Sequence, residues 1–108
     1  MLIVERNNIH ITRGDSALIG LDLFLSDGSI YVKQPGDSLR LNIKRKYTDT
    51  VNLLEKPLSD IAINLTPQDT NSLPYGNYWY DIELTTKDGN VYTVVGPSRF
   101  VIREEVGF

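Results

Sequence analysis

His10 is the only histidine in the chain, and there is no cysteine. A metal site built on imidazole or thiolate needs three or four such ligands, and a histidine-based triad needs a nucleophile and an orienting group. His10 lacks that company, so it reads as a surface or edge residue. Carboxylates come next. Asp81 and Glu83 share one face of a strand, and Glu104 and Glu105 are adjacent. Paired carboxylates can do acid–base or glycosidase work. These sit at solvent-facing positions, however, where ordinary carboxyls are poor acids at neutral pH. Asp27-Gly28 and Asp88-Gly89 resemble fragments of calcium loops, without the further oxygen ligands and the terminal Glu. Hairpin turns explain both. Residues 13–15, Arg-Gly-Asp, match an adhesion tripeptide by letter, but a turn favours Gly and Asp in any case. The expectation is a non-enzymatic chain with no catalytic residue, no cofactor and no metal.

Trp79 is better placed for recognition. Residues 77–84 alternate with period two, the mark of a strand with one buried face. Tyr78, Tyr80, Ile82 and Leu84 fall on the apolar face; Asn77, Trp79, Asp81 and Glu83 fall on the other. A tryptophan on a polar face either tucks under a loop or marks a contact surface, where aromatics concentrate binding energy. Trp79, Asn77 and Asp81 are therefore the candidate interaction residues. A sugar-stacking platform is the alternative use of the ring, and it needs coplanar help from Tyr31, Tyr75 or Tyr92.

The element that must position this strand precedes it. Thr66 suits an N-cap, Pro67 the first helical position, and Asp69 the third, where a carboxylate faces the positive helix end. The helix is expected over 67–73, because Pro74 disfavours helix at Leu73. Gly76 permits a sharp change of direction. Tyr78, just beyond, is the candidate for a tyrosine corner, its ring buried and its hydroxyl bonded to upstream backbone. An ordinary core tyrosine without that bond is the other reading.

The rest of the chain reads as strands. Residues 1–4 form a short strand or an arm that pairs with a neighbour. Ile9 and Ile11 mark a strand, and residues 13–16 a turn. Residues 17–25 alternate and are partly apolar on both faces, which predicts a strand central in its sheet. Ser26, Asp27 and Gly28 make a hairpin turn, and 30–32 return. A turn at 34–37 leads to a one-face strand on Leu39, Leu41 and Ile43. Residues 47–59 read as a long crossing connection with a short edge strand at 51–54, since Pro57 cannot sit in a central strand. Ile61, Ile63 and Leu65 lead into the corner. After a turn at 85–90 come a strand at 91–95, a break at Gly96-Pro97, a last strand on Phe100 and Ile102, and a polar exit at 103–108. Short strands with turns every eight to twelve residues imply an all-β, immunoglobulin-like antiparallel sandwich of about seven strands, with one short helical turn between two of them.

With 108 residues the chain suits one domain, 1–108. A net charge of -3, with no basic block longer than Lys44-Arg45-Lys46, argues against nucleic acid. No apolar run reaches membrane-spanning length. The start, MLIVERNN, lacks the charged region and long apolar stretch of a signal peptide, and the absence of cysteine fits a reducing compartment.

Three segments carry a resemblance: ITRGDSALIGLDLFLSDGSIY (11–31), LTPQDTNSLPYGNYWYDIEL (65–84) and GPSRFVIREEV (96–106). Together they resemble small virion-associated proteins of tailed phages and prophages of Gram-positive bacteria. An RGD start, an alternating strand and a DG turn are similar to the N-terminal domain of phage baseplate upper proteins. The likeness covers most of the chain and is most specific over 69–83. It implies a β-sandwich that assembles with other copies of itself, as a homo-oligomer, or with tail or baseplate proteins. The implied location is the virion, assembled in the bacterial cytoplasm. No catalytic residue comes with it. Baseplate upper proteins carry long C-terminal regions, whereas this sequence stops at Phe108, which points to a free-standing adaptor or decoration. A carbohydrate-binding module for host recognition is the alternative function.

Overall fold

Strand alternation sorts the side chains onto two sheets of very different size. The computed structural model describes residues 2–24 and 27–104. The expectations for Met1, for Leu25 and Ser26, and for Glu105 and the exit over 105–108 lie outside these residues. The strands are β1 (Leu2–Glu5), β2 (Asn8–Thr12), β3 (Ala17–Gly20), β4 (Ser38–Lys44), β5 (Leu54–Leu58), β6 (Ala62–Leu65), β7 (Gly76–Thr85) and β8 (Val91–Arg103); a short helix, α1 (Pro67–Asn71), precedes β7. Six strands form one sheet in the order β1-β2-β8-β7-β4-β5, and β3 and β6 form the second. The result is an all-β, sandwich-like fold. The β8-β7-β4-β5 order in one sheet, with β3-β6 in the other, follows the immunoglobulin arrangement.

Between the sheets lies one apolar cluster. Ile9, Ile11, Leu41, Ile43, Ile63, Leu65, Tyr78, Ile82, Phe100 and Ile102 are all buried in it. The inward faces are those the alternation gives: Leu39, Leu41 and Ile43 on β4, and Tyr78, Tyr80, Ile82 and Leu84 on β7.

The corner forms as its residues dictate. Thr66 Oγ1 accepts from Asp69 N at 3.3 Å, and the Asp69 carboxylate accepts from Thr66 N at 2.8 Å, a reciprocal capping box. Pro67 opens α1, which ends at Asn71 rather than Leu73, with Ser72 as its C-cap. Lys56, pointing inward from β5, pairs with Asp69. Gly76 has φ 144°, and a Cβ there would stand 3.0 Å from the Arg45 guanidinium. Tyr78 is 2% exposed, and its hydroxyl donates to Pro74 O at 2.6 Å. This is a tyrosine corner. Arg45 covers the same ring, 5.0 Å from its centroid.

Several boundaries differ from expectation. The strand expected over 17–25 stops at Gly20, and it is not central, because among the described residues β3 pairs only with β6. Past Gly20 the chain turns Leu23 inward; Tyr31 N donates to Leu23 O at 2.7 Å, and among the described residues the single bridge Phe24–Ile30 is what remains of the expected hairpin. The gain is cover: Leu23 and Tyr31 become buried over the end of the large sheet that the second sheet leaves open. The edge strand expected at 51–54 forms at Leu54–Leu58 and includes Pro57, tolerated there because β5 is the sheet's edge. Gly96-Pro97 does not break the last strand. β8 runs unbroken from Val91 to Arg103, and irregular register against β7 near Ile82 absorbs the pair. Finally, the sheet is not wholly antiparallel, since β2 pairs with β8 in parallel. The two strands are far apart in sequence, so no hairpin constrains their direction.

Two outcomes follow from the corner. Tyr78→Phe should cost about 1 kcal/mol by loss of the hydroxyl bond, and Tyr78→Ala about 3–5 kcal/mol by loss of the ring, both read from urea melts; a Phe variant as stable as the parent removes the hydroxyl's role. Burial pushes the Asp69 carboxyl up, but hydrogen bonds from Lys56 and Thr66 outweigh it and hold it below the usual range. A carboxyl with a lowered folded-state pKa contributes stability above its unfolded pKa, near 3.9, that is lost as pH falls through the folded value. Asp69→Asn should therefore cost about 1 kcal/mol at neutral pH, and the deficit should shrink below about pH 4. A deficit independent of pH would count against the charge.

Candidate interaction surface

The outward face of the large sheet brings the three candidate residues into line. Asn77 is exposed, and Trp79 and Asp81 are half-buried, spaced two apart along β7. Trp79 lies opposite Lys44 on β4 and Arg99 on β8. Arg99 sits over the indole, 5.6 Å from its centroid. Tyr47, from the loop after β4, meets it edge-on at 5.3 Å and 72°. Tyr47 is itself 60% exposed. The ring is thus neither bare nor enclosed. Arg45 reaches Asn77 O at 3.4 Å, so a second guanidinium borders the patch. Tyr47 and Arg99 were not legible as partners of Trp79, because only the cross-strand register and the loop path put them there.

Asp81 faces the other way along the surface, into a polar network. Asn42, 1% exposed, donates through its amide to Asp81 Oδ1 at 2.9 Å and to Glu83 Oε1 at 2.8 Å. Arg40 pairs with Glu83 at 3.6 Å and Glu55 at 3.8 Å. Asn52 donates to Glu55 at 2.8 Å and to Asn42 Oδ1 at 3.4 Å. The two carboxylates therefore serve as acceptors for a buried amide. One face of β7 supplies both of them. Asn42 escaped the sequence reading because its outward position on β4 implied solvent, whereas the loop over 45–53 covers it.

The other motifs resolve into structure. His10 Nδ1 lies 3.2 Å from Arg103 Nη2 and accepts from it. Asp27 Oδ1 accepts from Ser29 N at 2.9 Å and Ser29 Oγ at 2.6 Å, and these bonds hold its carboxyl below the usual range. Around Asp88-Gly89, Thr86 N donates to Asn90 O at 2.8 Å in a hairpin turn. The 13–15 turn is docked on the corner. Gly14 N donates to the buried Thr70 Oγ1 at 2.9 Å, Arg13 donates to Asn71 O at 3.0 Å, and Arg13 covers Tyr75 at 5.3 Å. Among the described residues no group of three His, Cys, Asp or Glu side chains is arranged to hold a metal. The aromatics suggested for a sugar platform do not gather at Trp79. Tyr31 is buried, with its hydroxyl on Asp37 Oδ2 at 2.5 Å, Tyr75 lies under Arg13, and Tyr92 lines an apolar cleft of about 520 Å³ with Phe24, Leu84 and Val94.

Asn42→Ala should cost about 1–3 kcal/mol in a urea melt, since the two carboxylates lose their buried donor. A loss below about 0.5 kcal/mol, the range of ordinary surface changes, would mean that water replaces the amide.

Comparison with family models, with curated proteins and with solved structures finds no match to this chain.

Proposed function

We propose that this chain is a non-enzymatic structural or assembly module that acts through protein–protein contacts, as a tail- or baseplate-associated component of a phage or prophage virion. The observation that carries the contact reading is the group of Trp79, Tyr47 and Arg99 on the outward sheet face. Trp, Tyr and Arg are the residue types in which binding energy concentrates. The contacts of Tyr47 and Arg99 with the indole hold these side chains in place before a partner arrives, so less side-chain entropy is lost on contact. Lys44 and Arg99 flank the indole on neighbouring strands, so a covering surface offers carboxylates or carbonyls. The virion assignment draws on the resemblance over residues 69–83. A flat sugar platform is less well supported, because Tyr47 stands edge-on to Trp79.

The test has two parts. An antibody to the chain should detect it in tailed particles purified after prophage induction of the source strain; a chain confined to the particle-free fraction rejects the virion assignment. Trp79→Ala should weaken its association with those particles by about 2 kcal/mol or more, while the free chain keeps its fold by circular dichroism. Unchanged association rejects the Trp79 surface.

A further inference from the structure

Among the described residues the second sheet has two strands and hence two free edges, and these edges differ in how they are protected. In the antiparallel β3–β6 ladder, Leu21 N donates to Ile61 O at 3.1 Å, continuing the register Ile19–Ile63 and Ala17–Leu65. Odd-numbered residues therefore spend their backbone groups on β6. The N–H and C=O of Leu18 and Gly20 point away from it, along the outer edge of the sheet. Natural sheets blunt such edges with proline, lysine or inward charges. The large sheet does so at β5, with Pro57 and the inward Lys56. The free edge of β6 lies across a groove from the same residues, with Asp60 at its start. The β3 edge, Ala-Leu-Ile-Gly, has none of these. Leu18 is 73% exposed, more than any other large apolar side chain among the described residues. A Cβ at Gly20 would touch nothing within 4 Å.

We infer that the β3 edge is a self-pairing interface: two copies of the chain join β3 to β3 antiparallel about a two-fold axis at Ile19, making one four-stranded sheet from two small ones. The pairing is self-complementary in detail. With Ile19 opposite Ile19, the hydrogen-bonded pairs are Leu18 with Gly20 of the second copy, and the reverse. Each exposed leucine then lies over the empty space above a glycine. Both fall on the outer face, where the β3 burial pattern puts them. Ala17 meets Leu21, and Asp22 meets Ser16, so no like charges oppose each other across the strands. The Ile19 side chains point inward, to the lip of a groove of about 350 Å³ that Val4, Ile9, Leu21 and Val95 also line. One strand thus supplies both the leucine that lacks cover and the glycine that can receive it, which favours a second copy over an unrelated strand. The inference deepens the assembly reading by naming a partner and a register, on a surface separate from Trp79.

The chain has no cysteine, so single-cysteine variants report cleanly. Sedimentation of the parent over a dilution series should show a monomer–dimer equilibrium. Leu18→Lys should raise the dissociation constant by roughly tenfold or more, with an unchanged thermal melt because the side chain is exposed. Under mild oxidation Ile19→Cys should form a disulfide-linked dimer, since non-hydrogen-bonded partners have Cα atoms about 4.5 Å apart. Leu18→Cys, whose counterpart is Gly20, should cross-link far less. A parent that stays monomeric, a dimer indifferent to Leu18→Lys, or preferential cross-linking at position 18 overturns the inference. Particle association that still depends on Trp79 would in those cases leave the assembly reading standing.

Discussion

The hydrogen bond from the Tyr78 hydroxyl to Pro74 O fixes the point where the chain crosses from one sheet to the other. β6 belongs to the small sheet and β7 to the large one, and only α1 and a few residues join them. A crossing that short needs a sharp, reproducible bend. Pro74 and the positive φ of Gly76 make the bend possible; the tyrosine locks it by tying the first turn of β7 to the backbone it has just left. The 13–15 turn docks on the same corner through Thr70, and Lys56 anchors β5 to it through Asp69. Two distant parts of the chain thus register against one short helix. Capping alone would not hold a helix of five residues, since isolated helices of that length are unstable in water.

The inequality of the two sheets shapes the rest. β7, with ten residues, extends roughly 33 Å, whereas β3 and β6, with four each, extend roughly 13 Å. The small sheet cannot roof the large one, and the molecule is elongated, 49 Å by 26 Å by 22 Å. Leu23 and Tyr31 fill the shortfall by leaving strand geometry, which ends β3 at Gly20. Two surfaces result from this compromise. One is the apolar cleft beside Tyr92. The other is the bare edge of β3, where backbone groups that a further strand would pair face outward.

The outward face of the large sheet divides by chemistry. Near the corner, Tyr47 meets Trp79 edge-on and Arg99 lies over the indole; farther along, Asn42 gathers Asp81, Glu83 and their neighbours into a hydrogen-bonded network in which Asn52 Oδ1 alone is buried without a partner among the described residues. A buried amide with two carboxylate acceptors rigidifies β4 against β7 and leaves little hydrogen-bonding capacity to offer a partner. The aromatic end keeps open area, since Tyr47 is well exposed and Trp79 only half-buried. That contrast distinguishes the end suited to recognition from the end that holds the sheet.

The sequence by itself determined the elements whose causes are local. The capping box at Thr66 and Asp69, the turn at Gly76, the buried face of β7 and the turn at Asp88-Gly89 all follow from side-chain chemistry or period-two alternation within a few residues. It also determined that Trp79 points away from the core, because Tyr78 and Tyr80 cannot both face inward otherwise. What only the tertiary structure decided depends on contacts between residues far apart in the chain. The alternation over 17–25 continues past Gly20, but the need to cover the end of the large sheet overrides it. Gly96-Pro97 reads as a break, yet a long partner strand carries β8 through it. The parallel pairing of β2 with β8, the edge place of β5 and the arrival of Tyr47 at Trp79 have no local signal, since register between distant strands is set by which apolar faces must share one core.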